Sequence, residues 1–181
     1  MRLVVENIAA TGRTVTFALK DDWAHAAAAS ALEYEPTSLS GRLEVTPPEK
    51  SRVEVAVHVE VAADRVCDRC GEPVRVEVAA DVPLAYIPAV ATPAKEDADD
   101  EPLDEAELDI GWYEGGELDL GQVLSEAIAL QLPPRIACAD VEACDARTEA
   151  LLAAHAAKHA PPIGGLAGLT LPGGKAPRSN K

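Results

Sequence analysis

Aromatic side chains are scarce in this chain: Phe, Trp and Tyr together make up 3% of its 181 residues, and there is one Phe and one Met. Ala, Val and Leu must therefore fill the core. Hydrophobic residues are 48% of the total, and a chain of this length can bury one domain's core. No apolar run approaches the roughly 20 residues of a membrane-spanning helix. The opening MRLVVENIAA also has no charged region leading into an apolar stretch of signal-peptide length. A cytoplasmic protein with no membrane partner is expected. Cationic residues are in deficit, 16 Lys and Arg against 31 Asp and Glu, for a formal charge of −15. A surface of that sign does not grip a phosphate backbone over a broad area, so any RNA contact must be local. The chain also lacks a Gly-rich phosphate loop and a nucleophile elbow, and most of its excess of negative charge sits in one acidic run. Neither an enzyme nor a small-molecule substrate is expected.

Only four cysteines are present: Cys67, Cys70, Cys138 and Cys144. The first two form a knuckle, Cys67-Asp68-Arg69-Cys70-Gly71, in which a tight loop places two sulfurs on one side and Gly71 lets the chain leave with φ > 0. The second pair, spaced Cys-x5-Cys, would complete a tetrahedral Zn²⁺ site and tie two distant stretches together. In a reducing cytosol Cys-x-x-Cys is more often metal-binding or redox-active than a structural disulfide. A vestigial metal site and a thiol redox protein are the alternatives. The redox reading is disfavoured because thioredoxin-like pairs open a helix, whose dipole lowers the thiol pKa, whereas this pair joins two strands. Cys138 and Cys144 with His155 and His159 approximate a zinc-finger spacing, but the ββα hairpin that spacing serves is missing.

Along the chain, residues 2–8 and 13–19 around Thr11-Gly12 predict a hairpin, with Val4, Val15 and Phe17 as core candidates. Asp21 and Asp22 can cap an Ala-rich helix running to Ala31-Leu32, on which His25 is solvated. Strands flank Pro47-Pro48. The second alternates strictly from Val53 to Val61, with valines buried and His58 on the wet face beside Glu54 and Glu60. Alternation resumes after the knuckle from Val74 to Ile87, so the knuckle is a strand turn. Acids crowd from Lys95 to Glu107, predicting a mobile acidic loop at about 92–106. A strand at 108–113 follows. Asp119 then caps a helix from Leu120 to about Leu130, with Val123, Leu124, Ala127, Ile128 and Leu130 as its apolar stripe and Leu132-Pro133-Pro134 as its end. A last Ala-rich helix spans about 146–159, and 160–181 is too rich in Pro and Gly for regular structure. The fold class is therefore α+β, with a twisted, mainly antiparallel sheet and a packed helix in a single domain at 1–159.

Two stretches carry a family resemblance. Val66-Cys67-Asp68-Arg69-Cys70-Gly71-Glu72-Pro73-Val74 is similar to the Cys-x-Arg-Cys-Leu-Glu-Pro-Val segment of the YceD family. Leu118-Asp119-Leu120-Gly121-Gln122-Val123-Leu124-Ser125-Glu126 through Leu132-Pro133-Pro134 is similar to a second segment of that family, and the acidic insertion between the two is also typical. The Cys138–Cys144 segment looks like the other half of the zinc knuckle found in many members, with wider spacing and no Gly. The resemblance implies a ribosome-biogenesis factor that supports accumulation of large-subunit ribosomal RNA. Its partner would be that RNA or a ribosomal or assembly protein. Candidate RNA or partner contacts are Arg69, Arg65 and Arg75 around the knuckle, with Lys175, Arg178 and Lys181 in the tail. The acidity also suits an adaptor that binds a basic ribosomal protein by charge complementarity.

Overall fold

The computed structural model describes residues 1–49, 52–89 and 110–158. The acidic run at 92–106, the tail at 160–181 with Lys175, Arg178 and Lys181, and His159 lie outside the described residues. Described residues fall into two compact units, Met1–Ala137 and one that begins at Cys138.

The first unit has the element order β1 (Arg2–Val4), β2 (Arg13–Ala18), α1 (Asp22–Leu32), β3 (Pro36–Val45), β4 (Val53–Val66), β5 (Pro73–Pro88), β6 (Ile110–Tyr113), β7 (Glu117–Asp119) and α2 (Leu120–Gln131). Five strands form one sheet in the order β2-β3-β4-β5-β6. It is antiparallel except where β6 runs parallel to β5. This is the α+β class that the period-two patterns predict.

Strand β4 supplies much of the core, because its alternation puts Val53, Val55, Val57, Val59 and Val61 on one face, all buried. Burial of each valine is worth about 1.5–3 kcal/mol. Across β5 they meet Leu84, Val82 and Val78 in register. Helix α2 packs the same core through Leu120, Val123, Leu124, Ala127 and Ile128, the i, i+3, i+4 spacing of an amphipathic helix. Leu130, expected on that stripe, is instead exposed, because it lies at the stripe's edge, about 280° around the helix from Leu120, and in the last turn of α2. Helix α1 buries Ala24, Ala27, Ala28 and Leu32, and the small side chains let it lie close against α2. The single Phe packs edge-on to Trp23, with ring centroids 5.8 Å apart. It also crosses Gly41, where a Cβ would stand 2.6 Å from the Phe17 ring and 2.1 Å from the His58 carbonyl oxygen.

The expected hairpin between 2–8 and 13–19 does not form. β1 pairs with β7, setting Leu3 opposite Leu118, while β2 pairs with β3 along its whole length. The cause lies just after β1, where Val5–Asn7 coils into a 3-10 turn and the Val5 N–H donates to the Gly116 carbonyl at 2.9 Å. Leu3, Val5 and Ile8 are thereby buried. Val4, expected in the core, faces out.

The second unit opens with α3 (Val141–Lys158). It starts five residues before the expected Ala146, because Asp140 caps it. The Asp140 carboxylate accepts from the Ala143 N–H at 3.0 Å, and its carbonyl accepts from the Cys144 N–H at 3.1 Å. Cys144 therefore sits in the first helical turn.

Candidate metal centre

Strands β4 and β5 close at the pair Val66–Pro73, and the six residues between them form the knuckle. Three hydrogen bonds shape it. Cys67 N–H donates to the Glu72 carbonyl at 2.7 Å, Gly71 N–H to the Cys67 carbonyl at 2.9 Å, and Cys70 N–H to the Cys67 Sγ at 3.5 Å. Gly71 has φ +76°, the conformation its position in the sequence predicts. An N–H aimed at Sγ stabilises negative charge on that sulfur, as a metal-binding thiolate requires.

Asp68 joins the knuckle to the segment that follows α2. Its N–H donates to the Ile136 carbonyl at 2.8 Å, and its carboxylate accepts from the Ile136 N–H at 2.7 Å. Ile136 is itself buried. Two residues on is Cys138, whose Sγ accepts from Arg147 Nη2 at 3.3 Å.

The Sγ atoms of Cys67, Cys70, Cys138 and Cys144 all lie within 4.8 Å of one another, and the set could hold a metal ion. Three of the cysteines are buried and Cys138 is half-buried. Sulfurs of a tetrahedral zinc site with Zn–S bonds of 2.3 Å stand about 3.8 Å apart, a spacing inside the 4.8 Å limit of this set. Four soft donors without a carboxylate suit a thiophilic ion and do not suit Mg²⁺ or Ca²⁺. Neither Arg147 nor the Asp68–Ile136 clamp was anticipated from sequence. An Asp inside a Cys-x-x-Cys turn, in a position to accept backbone N–H groups, was the available signal for the clamp.

Of the three candidate contact arginines, two are engaged elsewhere. The Arg65 side chain is largely buried, with its guanidinium 5.1 Å above the centre of the Tyr34 ring and 3.8 Å from Glu33. Arg75 bonds Glu77 at 2.8 Å and Asp64 at 3.4 Å, and these carboxylates, Glu77 foremost, hold its pKa above the usual guanidinium value. Arg69 is exposed on the knuckle. His58 lies on the wet face as expected, but its ring is half-buried between Asp81 of β5 and Glu44 of β3 rather than among its own strand's glutamates. His25 pairs with Glu35 at 3.1 Å. His155 lies on an exposed turn of α3, and the cysteine set is the only group of metal-ligating side chains brought together among the described residues.

The first unit is a mainly antiparallel α+β domain with a cysteine knuckle at one sheet end, and no described helix is long and apolar enough to cross a bilayer. A family model described as Large ribosomal RNA subunit accumulation protein YceD matches residues 55–166, more than half the chain and a span that includes all four cysteines. The chain belongs to the YceD family. No curated protein and no solved structure matches it.

Proposed function

We propose that this protein is a non-enzymatic, cytoplasmic ribosome-assembly factor that supports accumulation of large-subunit ribosomal RNA, and that its four cysteines hold one structural Zn²⁺. The observation that carries the functional half is the match across 55–166 to a family described by accumulation of the large ribosomal RNA subunit. The zinc half rests on the donor set, four sulfurs within 4.8 Å and nothing harder among them. Two features suit anionic sulfur. Arg147 donates to Cys138, and Cys144 occupies the first turn of α3, where the helix carries partial positive charge.

In this reading the metal is a staple. Zinc shared by the knuckle and by the segment beginning at Cys138 adds its binding free energy to folding, and the chemistry of the assembly role lies on the surface of the stapled domain. The partner is large-subunit RNA or a ribosomal protein. A protein partner is favoured by charge, since 31 Asp and Glu stand against 16 Lys and Arg and two of the candidate arginines are already held, Arg65 on Tyr34 and Arg75 on Glu77 and Asp64. One experiment tests the role. Cells deprived of the protein should lose large-subunit ribosomal RNA relative to small-subunit RNA, and the wild-type chain should restore the ratio where Cys67→Ser does not. An unchanged ratio on depletion would remove the assembly role.

A further inference from the structure

We infer that the trough running over Trp112 is a docking site for a lysine- or arginine-rich segment of a partner protein, with the Trp112 indole as the platform for a cationic side chain. The inference rests on the assembly reading for the partner's identity and on the first unit's own geometry for the site.

Trp112 is the anomaly from which the argument starts. In a chain with two tryptophans, one is packed on Phe17, but Trp112 leaves 65% of its surface exposed. It projects from β6, the edge strand of the five-stranded sheet. A large aromatic left in water on a protein short of aromatics costs solvation without adding to the core, and such rings are over-represented where partners bind. Trp112 also has a groove on each side. One of 310 Å³ lies toward β7 and the other of 930 Å³ toward α1, and they adjoin along a shared wall of Tyr86, Trp112, Asp119 and Gln122, so a segment crossing the indole meets both.

The trough's charges select the occupant. Among the described residues four carboxylates line it, Glu114, Glu117, Asp119 and Glu126, against two cations, the Arg2 guanidinium and the Met1 ammonium, which stands 3.9 Å from Asp119. Arg2 bonds Glu117 at 3.4 Å and approaches Asp119 at 4.0 Å, and Glu126 accepts the Tyr86 hydroxyl at 2.7 Å. The balance stays negative after those pairs are formed. A phosphate entering this trough would face repulsion, which argues against an RNA strand, whereas a Lys or Arg side chain lying on the indole face finds carboxylates within reach of its head. Cation–π contact and charge complementarity act together here, and the partner class is a basic protein segment.

The test uses the full chain carrying Trp23→Phe, so that Trp112 is the sole indole, and titrates it with an unstructured arginine-rich peptide. The expected result is a saturable change in Trp112 emission. Affinity in the otherwise wild-type chain should fall about tenfold in Trp112→Ala and much less in Trp112→Phe, which keeps a ring. Glu114→Gln with Glu117→Gln should weaken binding several-fold more than Glu60→Gln with Glu77→Gln, which removes the same charge from the sheet. Because Trp112 and Glu114 are exposed, these variants leave the core intact, and a thermal melt checks that they do. Three results would overturn the proposal: no change in emission, equal weakening by both glutamate pairs, or a stronger response to an oligouridylate than to the peptide. Ribosomal RNA levels in cells score the assembly role separately, so either reading can fail alone.

Discussion

Asp68 and Ile136 exchange two hydrogen bonds across 68 positions of sequence, with the Asp68 backbone N–H donating to the Ile136 carbonyl at 2.8 Å and the Asp68 carboxylate accepting the Ile136 N–H at 2.7 Å. This is a short antiparallel link made by one side chain and two backbones. It holds the segment after α2 against the knuckle, at the end of the first unit.

Removing the carboxylate should therefore act on stability and on metal together. Asp68→Ala leaves the buried Ile136 N–H without its acceptor, a loss of about 1–3 kcal/mol in chemical denaturation. Asp68→Asn keeps an acceptor oxygen and should lose less. Chelator-driven zinc release should be faster in Asp68→Ala than in Asp68→Asn, and equal rates would show that the clamp does not serve the metal.

Arg147 should matter to the metal more than to the fold. Its donation to Cys138 Sγ would offset negative charge on the proposed four-thiolate site, and loss of such an outer partner typically costs about 10–100-fold in metal affinity. Competition with a colorimetric chelator measures this directly. Arg147→Lys should recover part of the affinity through charge alone, and Arg147→Ala none of it.

Tyr86 supplies a pH dependence. Burial first, and then its bond to the Glu126 carboxylate, push its pKa well above the ordinary value of 10.0. A group whose folded-state pKa is raised contributes stability that is complete below its unfolded value and is lost as pH climbs beyond it. Stability should accordingly hold up to about pH 10 and then fall. Phenolate absorbance should show that one of the three tyrosines ionises only as the protein unfolds. Tyr86→Phe should flatten the alkaline loss, and an unaltered profile would assign that loss to other groups.

Much of this architecture is legible in the sequence because period-two and period-3.6 patterns report burial directly. The valines of β4 and the stripe of α2 are read that way, and Asp119 caps α2 as expected, accepting from the Gly121 and Gln122 N–H groups. What escapes is pairing over distance. Nothing in residues 2–8 says that β1 will pair with β7 rather than β2, because three-residue strands carry almost no register information. Arg65 escapes for a related reason. Counting by twos from Val53 puts Arg65 on the valine face after Val61 and Ala63, and what the count cannot supply is the ring it lies over, Tyr34. At the site, the four cysteines and the knuckle turn are readable from spacing. Asp68 and Arg147 are not, since their roles depend on Ile136 and Cys138 arriving from elsewhere in the chain.

The measurement that bears most directly on the account is the metal content of the full chain purified without chelator, beside its four single Cys→Ser variants. One zinc per chain is expected in the wild type, with each of Cys67→Ser, Cys70→Ser, Cys138→Ser and Cys144→Ser holding clearly less and melting at lower temperature. Less than about half an equivalent in the wild type, or undiminished zinc in the Cys138 and Cys144 variants, would contradict a four-cysteine site.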